Sequence, residues 1–182
     1  MSFDLQALAR ELASIKNPPV ETWNPDFCGD IDMEIRKDGS WYYMGTPIGR
    51  PQMVKLFSTV LRRDADGRYY LVTPVEKLGI RVEDAPFLAV KAERIADTAT
   101  GMPAILFETQ VGDRVLAGRT HPLRIEQARD GTPRPYIHIR GRLEALISRA
   151  VFYDLVSWGE ERGNQLYVSS MGEDFCLGAL TL

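Results

Sequence analysis

Two stretches of this chain combine residue types that could bind a small molecule. In the first, Trp41 and Tyr43 are followed by a glycine-bordered segment that ends at Arg50. Aromatic rings can stack on a base or another flat ring, and an arginine beside a helix start can hold an anion. The stretch is therefore a candidate site for a flat, anionic molecule. The alternative, that the rings belong to the core, is the favoured interpretation for at least one of them.

The second stretch places charges between aliphatic residues at the ends of predicted strands. Its candidates for ligand contact are Glu76, Lys77 and Arg81. Charges in this pattern also suit pairs across neighbouring strands, and this structural interpretation is the favoured one.

Two short signals occur twice at the same spacing. Asp38-Gly39 is followed by Gly49-Arg50, and Asp130-Gly131 is followed by Gly141-Arg142, 92 positions later in both cases. Each Gly-Arg pair opens a segment with helical apolar periodicity. The sequence therefore predicts one unit used twice, and the alternative is two ordinary hairpin and helix units.

A true repeat would give two arginines equivalent positions beside helix starts. Approximate two-fold symmetry could then bring Arg50 and Arg142 together at the seam between the halves, where a phosphate-bearing ligand would neutralise them. Internal salt bridges to Glu76 or Glu83 would satisfy the same guanidiniums without a ligand.

No catalytic constellation is recognisable in the sequence. It contains no Walker phosphate loop, no GxGxxG and no GxSxG. His121 and His138 are the two histidines, and neither has a second histidine or cysteine at metal-ligand spacing. No metal or cofactor is therefore predicted, and His138 is kept as a candidate ligand contact. Together these features favour a binding protein over an enzyme.

Composition indicates a globular protein of 182 residues with a net charge of −3. This charge does not favour nucleic acid or an anionic membrane as a partner. Clusters such as residues 62–64 are interpreted as a solvated face. Cys28 and Cys176 define no disulfide framework. No signal peptide or membrane-spanning segment is predicted, and a cytoplasmic location is expected.

Hydrophobic periodicity predicts the elements that must position these residues. An amphipathic helix is expected over residues 3–15, with Ser2 or Asp4 at its start. Residues 31–35 and 41–44 form a predicted hairpin. Two further helices are predicted, one from Pro51 and one over residues 143–158. Their apolar faces are expected to carry Met53, Val54, Phe57, Val60 and Leu61 in the first and Leu143, Leu146, Ile147, Ala150, Val151, Leu155 and Trp158 in the second.

Several strings in the first half resemble a proteobacterial family catalogued as domain of unknown function twelve-eighty-five. They are GDIDM (29–33), DGSW (38–41), GTPIGR (45–50), LVTPVEK (71–77) and VEDAPF (82–87). The resemblance covers nearly the whole chain and implies a duplicated two-domain core, with a second half like a pleckstrin-homology fold. It also implies a nucleotide-like ligand at the seam and a role in signalling. A pleckstrin-like domain normally ends in its helix, whereas strands are predicted after Trp158.

The sequence thus predicts an α+β protein built from a duplicated unit of antiparallel sheet plus one helix, preceded by an N-terminal helix. The expected segments are 1–21 for the helix and linker, 22–95 for the first repeat and 96–182 for the second. The predicted function is non-enzymatic binding of a small ligand at the seam between the repeats, which the resemblance implies is nucleotide-like. The alternative is an interaction module that meets a protein partner through an exposed sheet edge.

Overall fold

The computed structural model describes residues 3–180, so the predicted cap at Ser2 lies outside the described residues. The chain forms two compact units. The first comprises residues up to Pro86 together with Gly141–Leu143, and the second comprises Phe87–Arg140 and the residues from Glu144 onwards. The predicted boundary between residues 95 and 96 falls near the end of a strand of the second unit, whereas the units divide after Pro86.

The N-terminal helix, α1, spans Leu5–Leu12. The carboxylate of Asp4 accepts hydrogen bonds from the backbone N–H groups of Gln6 and Ala7, which satisfies donors that the helix itself leaves unpaired. Leu8 and Leu12 are buried. The helix is shorter than the predicted 3–15 because the backbone cap is Ala13 and the chain then turns towards Pro18 and Pro19.

The first unit is built on a sheet of six strands with one helix inserted between the third and fourth. The elements are β1 (Phe27–Ile35), β2 (Trp41–Tyr43), β3 (Thr46–Pro47), α2 (Pro51–Thr59), β4 (Leu61–Arg63), β5 (Tyr69–Val72) and β6 (Lys77–Val82). Their order across the sheet is β3-β2-β1-β6-β5-β4, and the central pair β1 and β6 is parallel.

Alternation along the strands and the buried face of α2 together make the core of this unit. Met33 and Ile35 of β1 are fully buried, as is Trp41 of β2. Phe57 of α2 stacks on Trp41, with ring centroids 6.5 Å apart and planes inclined by 29°. The predicted helical face is confirmed at Met53 and Phe57, whereas Leu61 lies in β4.

The second unit repeats the same sheet topology. Its strands are β7 (Phe87–Ala96), β8 (Pro103–Thr109), β9 (Arg114–Leu116), β10 (Leu123–Gln127), β11 (Pro133–Arg140) and β12 (Leu143–Ile147). Their order is β10-β11-β12-β7-β8-β9, again with a parallel central pair, β7 and β12. The predicted duplication into two sheet-dominated halves, each with a helix, is therefore confirmed.

The helix of the second unit follows the sixth strand instead of the third. This helix, α3, spans Arg149–Trp158. Three strands come after it and form a separate antiparallel sheet: β13 (Glu160–Arg162), β14 (Gln165–Ser170) and β15 (Glu173–Ala179). The strands predicted after Trp158 are thus present.

The register of the predicted repeat is wrong. Asp38-Gly39 lies in the turn between the first and second strands of its sheet, and Asp130-Gly131 lies between the fourth and fifth. The topological counterpart of Asp130-Gly131 in the first unit is the β4–β5 turn, which ends at Gly67. Gly39, Gly67 and Gly131 have φ values of 84°, 82° and 83°. Asp-Gly is a local turn signal that serves any hairpin, so its spacing does not identify which hairpin it closes.

The predicted helix over residues 143–158 is also wrong in its first third. Leu143, Ala145 and Ile147 are buried, and the residues between them are half-buried, which is the two-residue period of a strand. Ser148 then caps α3 by accepting a hydrogen bond from the N–H of Val151. Gly141-Arg142 therefore precedes a strand, whereas Gly49-Arg50 precedes a helix, and the two arginines are not equivalent.

This strand-to-helix change makes a prediction about two leucines. Leu155 of α3 is fully buried, whereas Leu146 of β12 is half-buried. We expect Leu155→Ala to cost about 3 kcal/mol of unfolding free energy and Leu146→Ala about 1 kcal/mol, because the cost of truncation follows the buried volume lost. Urea denaturation of both variants checks this. Equal costs at the two positions would contradict the alternating burial of β12.

Candidate functional site

A groove of about 630 Å³ lies between α1 and α2 in the first unit. From α1 it is lined by Gln6, Ala9, Arg10 and Ala13. These positions follow the i, i+3, i+4, i+7 spacing that places residues on one face of a helix. The remaining lining residues belong to α2 or come immediately before it: Gly49, Arg50, Pro51, Gln52, Met53 and Leu56. Volumes of this size are typical of small-molecule sites.

The start of α2 forms one part of this groove. Arg50 is the N-cap residue, with an extended backbone and no side-chain capping bond, and Pro51 occupies the first helical turn. Proline is favoured there because the missing N–H would have had no partner in the helix. The first turn of α2 carries no acidic side chain. The partial positive charge of this helix end is therefore not offset by a local carboxylate.

The groove combines a largely apolar lining with two cations. Met53 is buried, Ala9 and Leu56 are half-buried, and Arg10 and Arg50 are exposed. Neither guanidinium has a salt-bridge partner among residues 3–180. Of the described residues that line the groove, none carries a carboxylate or an aromatic ring. The arrangement can hold an anionic group beside an apolar surface.

The two candidate rings do not line this groove. Trp41 is 1% exposed and belongs to the core, which was the alternative interpretation of the aromatic pair. Its indole N–H is buried without a hydrogen-bond partner in the part of the chain that the structure describes. The Tyr43 hydroxyl donates to the carbonyl of Phe3 at 3.3 Å, and the two rings meet edge to face at 5.9 Å. Tyr43 thus anchors the chain just before α1.

Lys77 belongs to a partly buried ion network on the first sheet. Asp64 accepts hydrogen bonds from Arg62 Nε at 2.6 Å and from Lys77 Nζ at 3.0 Å, and the ammonium group lies 4.5 Å from the centre of the Tyr70 ring. Burial acts to raise the pKa of Asp64, but the hydrogen bonds and the positive charges of Arg62 and Lys77 together hold the pKa below its ordinary value.

Arg62 corrects the expectation of a solvated face over residues 62–64. Its exposed fraction is 7%, and Nη1 donates to the carbonyls of Val20 and Trp23 at 2.8 and 2.6 Å. The guanidinium therefore ties the proline-rich linker before β1 to β4. Charged residues are rarely this buried unless they are paired, and the sequence offers no signal that separates Arg62 from its neighbour Arg63.

The other charged candidates of the first unit form structural contacts. Arg81 Nη2 lies 2.7 Å from Asp32 Oδ1 on the adjacent strand, and this hydrogen bond raises the pKa of Arg81. The backbone of Glu76 closes the β5–β6 turn, where its N–H donates to Thr73 Oγ1 and its carbonyl accepts from the Thr73 N–H. The Arg81–Asp32 contact is the kind of cross-strand pair that the structural interpretation predicted, whereas the contacts of Glu76 are backbone bonds within a turn.

One structural contact was missed by sequence reasoning. A Cβ atom on Gly79 would clash with the Asp30 carboxylate, so the present position of this side chain across the parallel pair β1 and β6 depends on the glycine. Asp30 Oδ1 accepts a hydrogen bond from Arg68 Nη2 at 2.6 Å. A glycine inside a strand is the signal that could have indicated such a close approach.

The last two candidates lie apart from the groove. His138 is on β11, and its Nδ1 is 3.3 Å from Nδ1 of His121. Arg142 is exposed in the turn before β12 and, with Trp23, Arg62 and Asp64, lines a second pocket of about 440 Å³. Of the eight predicted site residues, Arg50 is the one that lines the α1–α2 groove.

The described residues contain neither a metal-binding cluster nor a membrane-spanning helix. Residues 3–180 contain no group of three or more histidine, cysteine, aspartate or glutamate side chains placed to hold a metal ion. Within the same range, no helix has the length and apolar character needed to cross a membrane.

Comparison with known proteins identifies the family. The N-terminal domain model of DUF1285, a domain of unknown function, matches residues 18–85, and the C-terminal domain model matches residues 86–177. No curated protein is significantly similar to the chain.

Two solved structures resemble the chain. A DUF1285 family protein from Silicibacter pomeroyi DSS-3 is 47% identical, with 99% of this chain and 97% of that chain covered and a TM-score of 0.90. A DUF1285 family protein from Shewanella baltica OS155 is 30% identical, with 69% and 90% covered and a TM-score of 0.52. The chain therefore belongs to the DUF1285 family, as its sequence motifs predicted.

Proposed function

We propose that this protein binds a small anionic ligand in the α1–α2 groove and does not convert it chemically. One observation carries the proposal. Arg10 and Arg50 line the same groove without a salt-bridge partner among the described residues, and the described lining contains no carboxylate. An anion in the groove would give both guanidiniums a charge-assisted partner.

The local electrostatics support this choice of ligand charge. The N-terminus of α2 contributes a partial positive charge, and its first turn has no acidic residue to offset it. Charged pairs elsewhere on the first sheet are internally satisfied, as at Arg62 with Asp64 and Arg81 with Asp32. In the groove, by contrast, two arginines without a salt-bridge partner among the described residues adjoin an apolar lining.

Several finer expectations from the sequence stay predictions alongside this proposal. They are a nucleotide-like ligand at the seam between the halves, a role in signalling, a protein partner at a sheet edge and a cytoplasmic location. The free thiols of Cys28 and Cys176 are compatible with a reducing compartment. The pleckstrin-homology likeness of the second half is a prediction as well, supported by the helix α3 that follows a six-stranded sheet.

Removal of the positive charge of Arg50 tests the proposal. We expect adenosine monophosphate, inorganic phosphate or a short carboxylate to raise the melting temperature of the protein, since a ligand that binds only the folded state stabilises it. Arg50→Gln should weaken the binding of whichever anion gives a shift by about ten-fold, because a hydrogen bond to a charged group contributes about 1.5–3 kcal/mol. Titration calorimetry measures the change.

Lys55→Gln is the matched control for this experiment. Lys55 is exposed on the same helix but does not line the groove, so its replacement removes one positive charge without touching the site. Binding to this variant should stay within two-fold of the unmodified protein. Equal losses in the two variants would reveal a general charge effect and would contradict a site at Arg50.

A further inference from the structure

We infer that the anion held in this groove is the head of an unbranched aliphatic amphiphile, such as a fatty-acid carboxylate. This inference rests on the proposed function and adds the chemical class of the ligand. Its first support is the lining, which presents alanine, methionine, leucine and proline side chains and, among the described residues, no aromatic ring. The ring that could have stacked on a nucleobase, Trp41, is buried in the core.

The shape of the lining also favours a chain over a flat ring. Gln6, Ala9 and Ala13 follow one face of α1, and the rise of an α-helix makes this strip about 10 Å long. Two of its residues are alanines one turn apart, which leave room along the helix. Met53 and Leu56 on α2 provide the facing apolar surface, and a methionine side chain adapts readily to a flexible occupant.

The two arginines determine which head group the ligand must carry. Arg50 lies at the start of α2, next to Gly49 and Pro51, where the helix end adds to its positive charge. Arg10 adds a second cation to the same lining. A carboxylate on a medium-length chain satisfies these cations while its methylene groups cover the apolar residues. A neutral chain would cover the apolar residues but leave the arginines without an anionic partner. A short anion would pair with the arginines but leave the apolar residues uncovered.

Contacts outside the groove hold α1 in place. Leu8 and Leu12 of α1 are buried, and the Tyr43 hydroxyl binds the carbonyl of Phe3 just before this helix. Because α1 is already packed on the first unit, binding does not require the helix to fold or dock at that moment. Such preorganisation lowers the free-energy cost of binding.

A chain-length series tests the inference directly. The probes are hexanoate, octanoate and decanoate, each below its micelle-forming concentration, with decanol as the neutral control and adenosine monophosphate as the ring-bearing anion. We expect affinity for the carboxylates to rise about three- to four-fold per added methylene, in line with the transfer of a buried methylene group from water. Decanol should bind at least ten-fold more weakly than decanoate.

Three variants test whether decanoate binds in the groove. Ala13→Trp should fill the strip on α1 and reduce decanoate affinity at least ten-fold, whereas Ala7→Trp, at an exposed alanine that does not line the groove, should leave it within two-fold. Arg50→Gln keeps the test informative if the tryptophan variant fails to fold. It should lower the affinity for decanoate about ten-fold and leave the increment per methylene unchanged.

The possible results separate this inference from the proposed function. Binding of adenosine monophosphate or phosphate that depends on Arg50, with no gain along the carboxylate series, would overturn the amphiphile and leave anion binding in place. Decanol bound as tightly as decanoate would overturn the anionic amphiphile, and the proposed function would then stand or fall on the Arg50-dependent binding of adenosine monophosphate or phosphate. Absence of any binding that depends on Arg50 would overturn both.

Discussion

Replacement of Arg62 by methionine should destabilise the first unit by about 3 kcal/mol, the lower end of the cost of breaking a buried ion pair from one side. The substitution leaves the carbonyls of Val20 and Trp23 without their donor and removes one of the two cations that neutralise Asp64. Each unpaired buried acceptor adds its own desolvation cost. Chemical denaturation, followed by tryptophan fluorescence, measures the total.

Arg63→Met is the matched control, one position along the same strand. The Arg63 guanidinium donates to the carbonyl of Gly67 at 3.2 Å and lies 5.2 Å from the centre of the Tyr69 ring, near the protein surface. Its loss should cost less than about 1 kcal/mol, the usual size of an exposed cation–π contact. A loss at Arg62 no greater than the loss at Arg63 would show that the buried network is dispensable.

Replacement of Phe57 by alanine should cost about 4 kcal/mol of unfolding free energy, the middle of the range for buried aromatic residues. Phe57 is fully buried on α2 and stacks on Trp41, so truncation leaves a cavity against a ring that has little freedom to move. Faster hydrogen exchange of the α2 amides should accompany the loss. Because α2 forms one wall of the groove, ligand binding should weaken as well.

Val75→Ala provides the surface comparison for this experiment. Val75 lies in the β5–β6 turn and is 72% exposed, so its truncation should change stability by less than about 0.5 kcal/mol. A small effect at Phe57, similar to the effect at Val75, would contradict the packing of α2 against the first sheet.

Much of the secondary structure could be predicted from local patterns. The alternation of residues 31–35 and the turn at Asp38-Gly39 predicted the β1–β2 hairpin, and Pro51 marked the start of α2. These signals act over a few residues, so they do not depend on the rest of the chain. The family could be predicted for a similar reason, because its motifs are short contiguous strings.

The sequence-based predictions were wrong where one local pattern is compatible with two different structures. Residues 143–147 carry apolar side chains at both helical and strand spacing, and pairing of β12 with β7 selects the strand. The two Asp-Gly turns could be matched by spacing alone, but the order of strands shows that they close different hairpins. In both cases the deciding hydrogen bonds join residues that are distant in sequence.

The candidate site, too, could be predicted only in part from the sequence. Arg50 could be selected from its place beside a predicted helix start, whereas Arg10 carried no signal of its own on α1. The groove depends on the packing of α1 against α2. Because Arg10 and Arg50 are far apart in sequence, no local pattern indicates that they line the same groove. Trp41 had the chemistry of a ligand contact, yet its stacking on Phe57 places it in the core.

By itself, the sequence determined the α+β class, the duplicated architecture, the family and most of the hairpins, because these depend on residue type and short-range spacing. Only the tertiary structure decided which charges are satisfied internally and which remain unpaired. Arg62 and Arg63 are adjacent residues of the same type, and contacts with the linker at Val20 and Trp23 bury one of them. The physical reason is that burial and ion pairing are set by neighbours across strands and helices, whose identity no local pattern specifies.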